Sequence, residues 1–355
     1  MAANKTPRSG RGISLATIVV VSALALTACG GEKNADSTAG TKAGGKFVIG
    51  VSNTLAGNGW REEMICAVKA ESVASGVVSK VIAVSKNGGP TDQIQDLQSL
   101  ISQGVNAIVV NPADRDKLNP VIEEAIAQGI VVVAVDSPVS AKGAYVAVND
   151  QKAWGKLTAE WLFKQMGGTG KVLYMRGIEG VPADSDRHAG VKEALATYSG
   201  ITVKEVWTGW DYTKAGEIAV QELSSGSYQG VWTSGTDYTV VNAIQTAGIK
   251  PIPVTGQETN AFIGQLINGA PGAVTTNPAI IGGVGAHVAI EALQGKKPNL
   301  QTILTPKVLD ATTGKADLQA AYDPKLDQLY SSTFSIDGLT TFTRSQLTSC
   351  KGPGE

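Results

Sequence analysis

The chain has 355 residues, 30 Lys and Arg against 31 Asp and Glu, a formal charge of −1 and 43% hydrophobic residues. Only 17% of residues are charged and the two signs balance, so no basic face of the size nucleic acid requires is implied. No second long apolar run follows the one near the start, so the remainder describes a globular body.

Residues 1–28 combine Arg8 and Arg11, an apolar run from Ile13 to Leu26, and small residues before Cys29. That order is an export signal, which is set aside from the fold. Leu26-Thr27-Ala28-Cys29 resembles the lipobox of bacterial lipoproteins. The resemblance implies that Cys29 is lipidated, becomes the first mature residue and anchors the protein outside the cytoplasm at the cell membrane. A plain secretory signal with a chance cysteine and an uncleaved anchor helix are the alternatives. Residues 29–45, rich in Gly, Ser, Thr and Lys, read as a flexible tether. Roughly 310 residues remain, about two domains on the usual size prior. Cys66 and Cys350 are then an even pair in an oxidising compartment. A disulfide between them would tie the tail to the first long helix and add on the order of 4–5 kcal/mol; two separate free thiols are the alternative.

Beyond Gly45 short β-branched runs alternate with longer amphipathic segments. Residues 46–51 read as a strand, followed by a helix over 59–75 and a strand over 77–84. The next helix, over 91–103, has Ile94, Leu97, Leu100 and Ile101 at helical spacing. Strands over 105–110 and 130–135 flank a helix over 117–128, and a strand over 145–148 closes the unit. Near-continuous apolar strands are buried on both faces, hence a parallel sheet covered by helices. The rhythm then restarts, with strands over 171–175, 201–207, 230–233, 252–255 and 273–276. Helices over 151–166, 186–198, 213–224, 238–247 and 261–268 separate them. Two βα series predict two doubly wound parallel-sheet lobes with a cleft between their strand carboxyl edges, where open α/β sheets bind ligands. A helix over 280–293 and the segment around Leu304 come late enough to recross between lobes. The expected lobes are 46–149 with 278–304 and 150–277 with 305–330; residues 331–355 form a tail without a predicted place.

Five landmarks occur in order: Gly50-Val51-Ser52 with Asn58-Gly59-Trp60; Val109-Val110-Asn111-Pro112; Val133-Ala134-Val135-Asp136; Gly177-Ile178-Glu179-Gly180 with Arg187-His188-Ala189-Gly190; and Val254-Thr255-Gly256-Gln257-Glu258. Together they resemble the ribose-binding type of periplasmic sugar-binding protein. The resemblance implies the type I periplasmic binding protein fold, with a multi-crossing hinge and closure of both lobes over a sugar or polyol. It also implies delivery to the membrane permease of an ABC importer, a monomeric protein, no cofactor and no enzymatic activity. By the family pattern Asn58, Trp60, Asn111 and Asp136 line one wall, and Ser185, Trp210, Gly235, Glu258 and Asn277 the other. Two departures stand out. The arginine usual after the aspartate is Ser137 here, and none opens the helix at Asp184. Asp237 is placed to substitute for the asparagine usual near Gly235. The expected pocket is therefore poor in positive charge and suits a neutral sugar, a polyol or a cationic solute over an anion.

Carboxylates and amides at strand ends can hold paired sugar hydroxyls, and flat rings can cover the C–H faces. Trp154, Trp161, Trp207 and Trp232 read as packing residues, and Arg187 as part of a structural ion pair. His188 and His287 are far apart, giving neither a metal cluster nor a nucleophile–base pair. Gly167 to Lys171 precedes a strand instead of following one, so it reads as a helix-ending turn, not a phosphate loop. Gly282-Gly283-Val284-Gly285 reads as close helix packing. Two rival functions share these residues: a receptor that signals to a sensor or chemoreceptor, and an exported glycoside hydrolase using Asp136 and Glu258.

Overall fold

The computed structural model describes residues 47–355; the signal segment, Cys29 and the tether lie outside the described residues. The first lobe is built from β1 (Phe47–Asn53), α1 (Gly59–Ser75), β2 (Val78–Ser85), α2 (Pro90–Ser102), β3 (Ala107–Val110), α3 (Asn119–Ala127), β4 (Val131–Asp136) and β5 (Tyr145–Asn149). The second lobe starts with α4 (Gln151–Gln165), β6 (Thr169–Arg176), α5 (Pro182–Thr197), β7 (Gly200–Trp207) and α6 (Tyr212–Leu223). It continues through β8 (Gly230–Thr233), α7 (Asp237–Thr246), β9 (Val254–Gln257), α8 (Asn260–Ile267) and β10 (Gly272–Thr275). The chain then returns to the first lobe for α9 (Ile281–Leu293) and β11 (Gln301–Leu304), and recrosses for β12 (Val308–Asp310) and α10 (Lys315–Ala321). A last helix, α11 (Arg344–Ser349), lies against α1.

The first sheet runs β2-β1-β3-β4-β5-β11, all parallel. The second runs β7-β6-β8-β9-β10-β12, parallel except for β12. In each sheet the order reverses beside its first strand, the topological switch point at which doubly wound sheets leave a crevice. Each sheet is apolar on both faces because each face carries helices. Val109, Val133 and Val135 meet α1 and α9, while Ile108, Val110 and Val132 meet α2 and α3. In the second sheet Met175 and Val231 meet α6 to α8, while Val172 and Trp232 meet α4 and α5.

Two close helix contacts set the geometry of the cleft. On α9, a Cβ at Gly282 would lie 2.2 Å from the Met64 carbonyl of α1, and one at Gly285 would lie 2.3 Å from Val135 of β4. The glycine cluster therefore packs helices, as its sequence suggests. On α4 and α5, a Cβ at Gly155 would meet the Arg187 carbonyl at 2.1 Å, and one at Gly190 the Lys152 carbonyl at 2.0 Å. Glycine at both positions lets α5 lie directly on α4.

Helix α5 begins at Pro182, four residues before the predicted start. Proline suits the first turn because its missing N–H has no intrahelical partner there. Asp184 consequently sits inside the first turn, and Val181 occupies the cap position. The C-terminal tail, unplaced by sequence, packs Phe342 and Leu347 against Ala67, Ala70 and Ile280. A disulfide joins Cys66 of α1 to Cys350.

Candidate functional site

A cavity lies where the two strand edges face one another. Its first wall is Asn58, Trp60, Arg61 and Asp136. Across from it stand Ala183, Arg187, Trp210, Ser234, Gly235 and Gln257, with Asn277 at the hinge. The lobes are closed on each other. Leu55 packs with Val181, Ala183 and Trp210 of the opposite lobe, and Arg115 binds Asp186 at 2.7 Å across the gap.

Local structure accounts for each wall residue. Asn58 caps α1, its Oδ1 accepting Arg61 N at 3.2 Å, while its Nδ2 donates to the Trp210 carbonyl at 3.2 Å. Trp60 donates from Nε1 to the Asn277 carbonyl at 2.6 Å. Asp136 ends β4 with φ +66°, and Ser137 N donates back to the Val135 carbonyl at 2.7 Å, a tight three-residue turn. Trp210 holds φ +56° and donates from Nε1 to the Ser234 carbonyl at 2.8 Å. Such left-handed non-glycine residues cost on the order of 1–3 kcal/mol each and gather at functional sites. Among the described residues the third is Cys350, so two of the three line this cavity. Gly177 makes room for the Trp210 ring, since a Cβ there would fall 2.1 Å from Cε2.

The expected shortage of positive charge is corrected by two buried arginines. Arg61, in the first turn of α1, donates from Nη1 to Asn53 Oδ1 at 2.8 Å and lies over the Trp210 ring. Arg187, expected in a structural ion pair, donates to Gln151 Oε1 at 2.7 Å and to the Ser234 carbonyl at 3.0 Å. The close α4–α5 contact carries its guanidinium over Trp154, 4.2 Å from the ring centre, and into the cavity. Burial lowers Arg61 to about 10 and lowers Arg187 too, with Asp136 opposing both shifts. Burial likewise pushes the Asp136 carboxyl up, against the pull of Arg187 and Arg61 and hydrogen bonds from Gln151 at 2.6 Å and Asn149 at 3.4 Å. Two guanidiniums and one carboxylate therefore line the cavity.

Several expected wall residues face elsewhere. Asn111 is buried beneath Met64 of α1, its Nδ2 3.4 Å from Sδ. Ser137 is turned inward by the tight turn, and its Oγ has no partner among the described residues. Asp184 pairs with Arg176 at the end of β6 and accepts Gly177 N at 2.9 Å, while Ser185 is exposed. Asp237 accepts Gln257 N at 2.9 Å and Tyr238 N at 2.9 Å, in space left by Gly256. Burial pushes Asp237 up to about 6. Glu258 accepts Asn277 N and Ser331 Oγ, and burial pushes it up to about 7. Asp136 and Glu258 thus do not face a common cavity as a hydrolytic carboxylate pair would.

Sequence reasoning missed Arg61, Ala183, Arg187 and Ser234 as wall residues, and gave Gln257 only as an alternative to Glu258. Arg61 adjoins Trp60, Ala183 adjoins Asp184 and Ser234 adjoins Gly235, so position beside a chosen residue was the available signal. Of the four tryptophans read as packing, Trp154 and Trp232 are buried edge to face. Trp161 and Trp207 are half-buried, Trp161 donating to Asp310 at 2.9 Å and Trp207 stacking under Arg176. Among the described residues no cluster of His, Cys, Asp or Glu is arranged to hold a metal ion.

Two doubly wound lobes closed over a polar, tryptophan-walled cavity define a two-lobed solute-binding protein. A model of the periplasmic binding protein domain matches residues 49–297, and the chain belongs to that family. It is 27% identical over 307 residues to the ribose import binding protein of Bacillus subtilis, covering 84% of this chain and 98% of that one. It is 29% identical over 240 residues to a xylitol-binding protein of Mycolicibacterium smegmatis, covering 66% of each. Among solved structures, an ABC transporter solute-binding protein from Thermobispora bispora superposes with a TM-score of 0.75 at 24% identity, covering 86% of this chain and 94% of that one.

Proposed function

We propose that the protein is an extracytoplasmic receptor that binds a neutral sugar or polyol in this cleft and delivers it to the membrane permease of an ABC importer. The carrying observation is the cavity wall: Asp136, under the charge of Arg61 and Arg187, lines it together with Trp60 and Trp210, with both lobes contributing. Arginine forks donate to paired hydroxyls, the carboxylate accepts from them, and indole faces cover C–H surfaces. Charge balance favours an uncharged guest. Asp136 faces both arginines, and Asp184, Glu258 and Asp237 act further on Arg187. Relatives named for ribose import and xylitol binding support the same chemical class.

Closure of the lobes is the mechanism, with the solute bridging groups that the open form separates. A micromolar solute supplies about 8 kcal/mol, part of which offsets closure. Cys29 is the membrane anchor of this reading, through its lipobox resemblance, and the tether gives the body its reach. The test is a thermal-shift screen of neutral sugars, polyols, sugar acids and cationic solutes. A true ligand at one hundred times its dissociation constant adds about 2.7 kcal/mol of stability. Stabilisation by sugar acids or cations alone would overturn the neutral assignment.

A further inference from the structure

Beyond α10 the chain does not end on the second lobe. It crosses to the first along a line of specific contacts. Asn260 of α8 donates from Nδ2 to the carbonyls of Asp323 at 2.8 Å and Leu326 at 3.2 Å. Asn260 N and Ala261 N donate to the carbonyls of Tyr330 at 2.9 Å and Gln328 at 3.0 Å. These bonds hold the outgoing segment to the second lobe.

Ser331 is the junction. It forms an antiparallel bridge with Thr259, and its Oγ donates to Glu258 Oε1 at 3.1 Å, both on the second lobe. Its N–H donates to Glu63 Oε2 of α1, on the first lobe, at 2.6 Å. Glu63 and Glu258 are both buried, so each carboxylate depends on such donors. Next to the junction, Leu329 presses on Gly59, where a Cβ would lie only 2.2 Å from Leu329 Cβ.

From there the segment follows one face of α1. Thr341 donates to Glu71 from its N–H at 2.7 Å and from Oγ1 at 2.9 Å. Phe342 and Leu347 pack on Ala67 and Ala70, and Cys350 closes the path on Cys66. Positions 59, 63, 66, 67, 70 and 71 recur at three- and four-residue spacing, the period of one helix face. The first turn of that helix presents Trp60 and Arg61 to the cavity.

The main chain passes between lobes at residues 149–151, 275–281 and 304–308. This segment is a fourth passage, closed covalently. A hinge rotation that separates the lobes carries Glu63 one way and Glu258 with Thr259 the other. Ser331 keeps both sets of bonds only while the lobes are together.

We propose that residues 322–350 form an interlobe strap that limits opening of the cleft, with Ser331 as its junction and the Cys66–Cys350 disulfide as its anchor. The strap biases the receptor toward the closed form. It thereby raises the apparent affinity for whatever solute the closed form holds, since that affinity scales with the population able to bind. Its readout needs no solute, so it stands apart from the identity of the guest.

The experiment compares the full chain, oxidised and after reduction by tris(2-carboxyethyl)phosphine, using small-angle X-ray scattering and hydrogen–deuterium exchange. Cleavage of the disulfide is verified by mass. A Cys66→Ser/Cys350→Ser double variant repeats the comparison genetically, and Ser331→Ala keeps the disulfide while weakening the junction. Reduction and the double variant are expected to enlarge the radius of gyration and to speed exchange of amides 59–63 and 258–261 about tenfold, with β3, β4 and β8 still protected. Ser331→Ala is expected to move both readouts the same way by less. Unchanged scattering and unchanged exchange at those amides would show the segment to be a passive cover of α1. Loss of protection throughout β3, β4 and β8 on reduction would also overturn the proposal, because the disulfide would then support the fold and not the angle between lobes.

Discussion

Gln151 donates from Nε2 to Oδ1 of Asp136 at 2.6 Å, joining the first residue of α4 to the carboxylate at the edge of the opposite sheet. The same amide accepts Arg187 Nε at 2.7 Å. One side chain at the crossing therefore aligns an anion from the first lobe with a cation from the second, and the cavity inherits that alignment.

Removing the anion should be costly. Asp136→Ala leaves Arg61 and Arg187 buried without their shared counter-charge, and is expected to lower the unfolding free energy by about 3–5 kcal/mol. It should also abolish the thermal shift given by the solute found in screening. Urea denaturation and the screen measure the two effects. A variant as stable as the parent that still responds to the solute would remove Asp136 from the site.

Trp60→Phe keeps an aromatic ring against the cavity and deletes the Nε1–Asn277 hydrogen bond at the hinge. A net loss of about 0.5–1.5 kcal/mol in stability is expected, with a weaker solute-induced shift. Trp60→Ala should eliminate the shift altogether. Retention of full solute affinity in Trp60→Ala, by calorimetry, would argue that the ring only packs.

His287 on α9 meets Glu71 of α1 at 2.9 Å, and that hydrogen bond raises its pKa above the ordinary histidine value. The folded protein thus holds this proton more tightly than the unfolded chain. The resulting stabilisation is complete below the unfolded value of about 6.5 and is lost as pH rises through the raised folded value. His287→Gln should be less stable than the parent at pH 6 and should approach it in alkali. Denaturation curves offset by the same amount at every pH would contradict this.

Burial raises Glu258 to about 7, so it too is held more firmly protonated in the folded state. The favourable contribution is full below the unfolded value of about 4.3 and disappears as pH climbs through 7, a span worth on the order of 3 kcal/mol. Glu258→Gln should flatten the fall in stability between pH 5 and pH 8. Denaturation midpoints showing an undiminished slope in the variant would locate the titration elsewhere.

The fold was legible because parallel strands covered on both faces must be apolar along their whole length. Residues 105–110 and 130–135 announce themselves in that way, and the restart near Lys171 announces a second lobe. Strand-end residues were legible too. Asp136 reaches the cavity because a strand's carboxyl end fixes where its last side chain goes, and Asn277 lies two residues beyond the end of β10. Helix residues were harder to read. Arg61 and Arg187 reach the cavity through helix phase and the glycine contact between α4 and α5, neither of which strand-edge reasoning considers.

By itself, then, the sequence determined the two βα series, their edges of approach and the pairing-ready cysteines, since local periodicity and residue type carry that information. Tertiary structure alone decided which charged groups meet. Asp184 turns to Arg176, Glu258 to Ser331 and Asp136 toward two arginines. These choices depend on where distant segments arrive, and a buried charge settles on whichever partner the packing brings within reach.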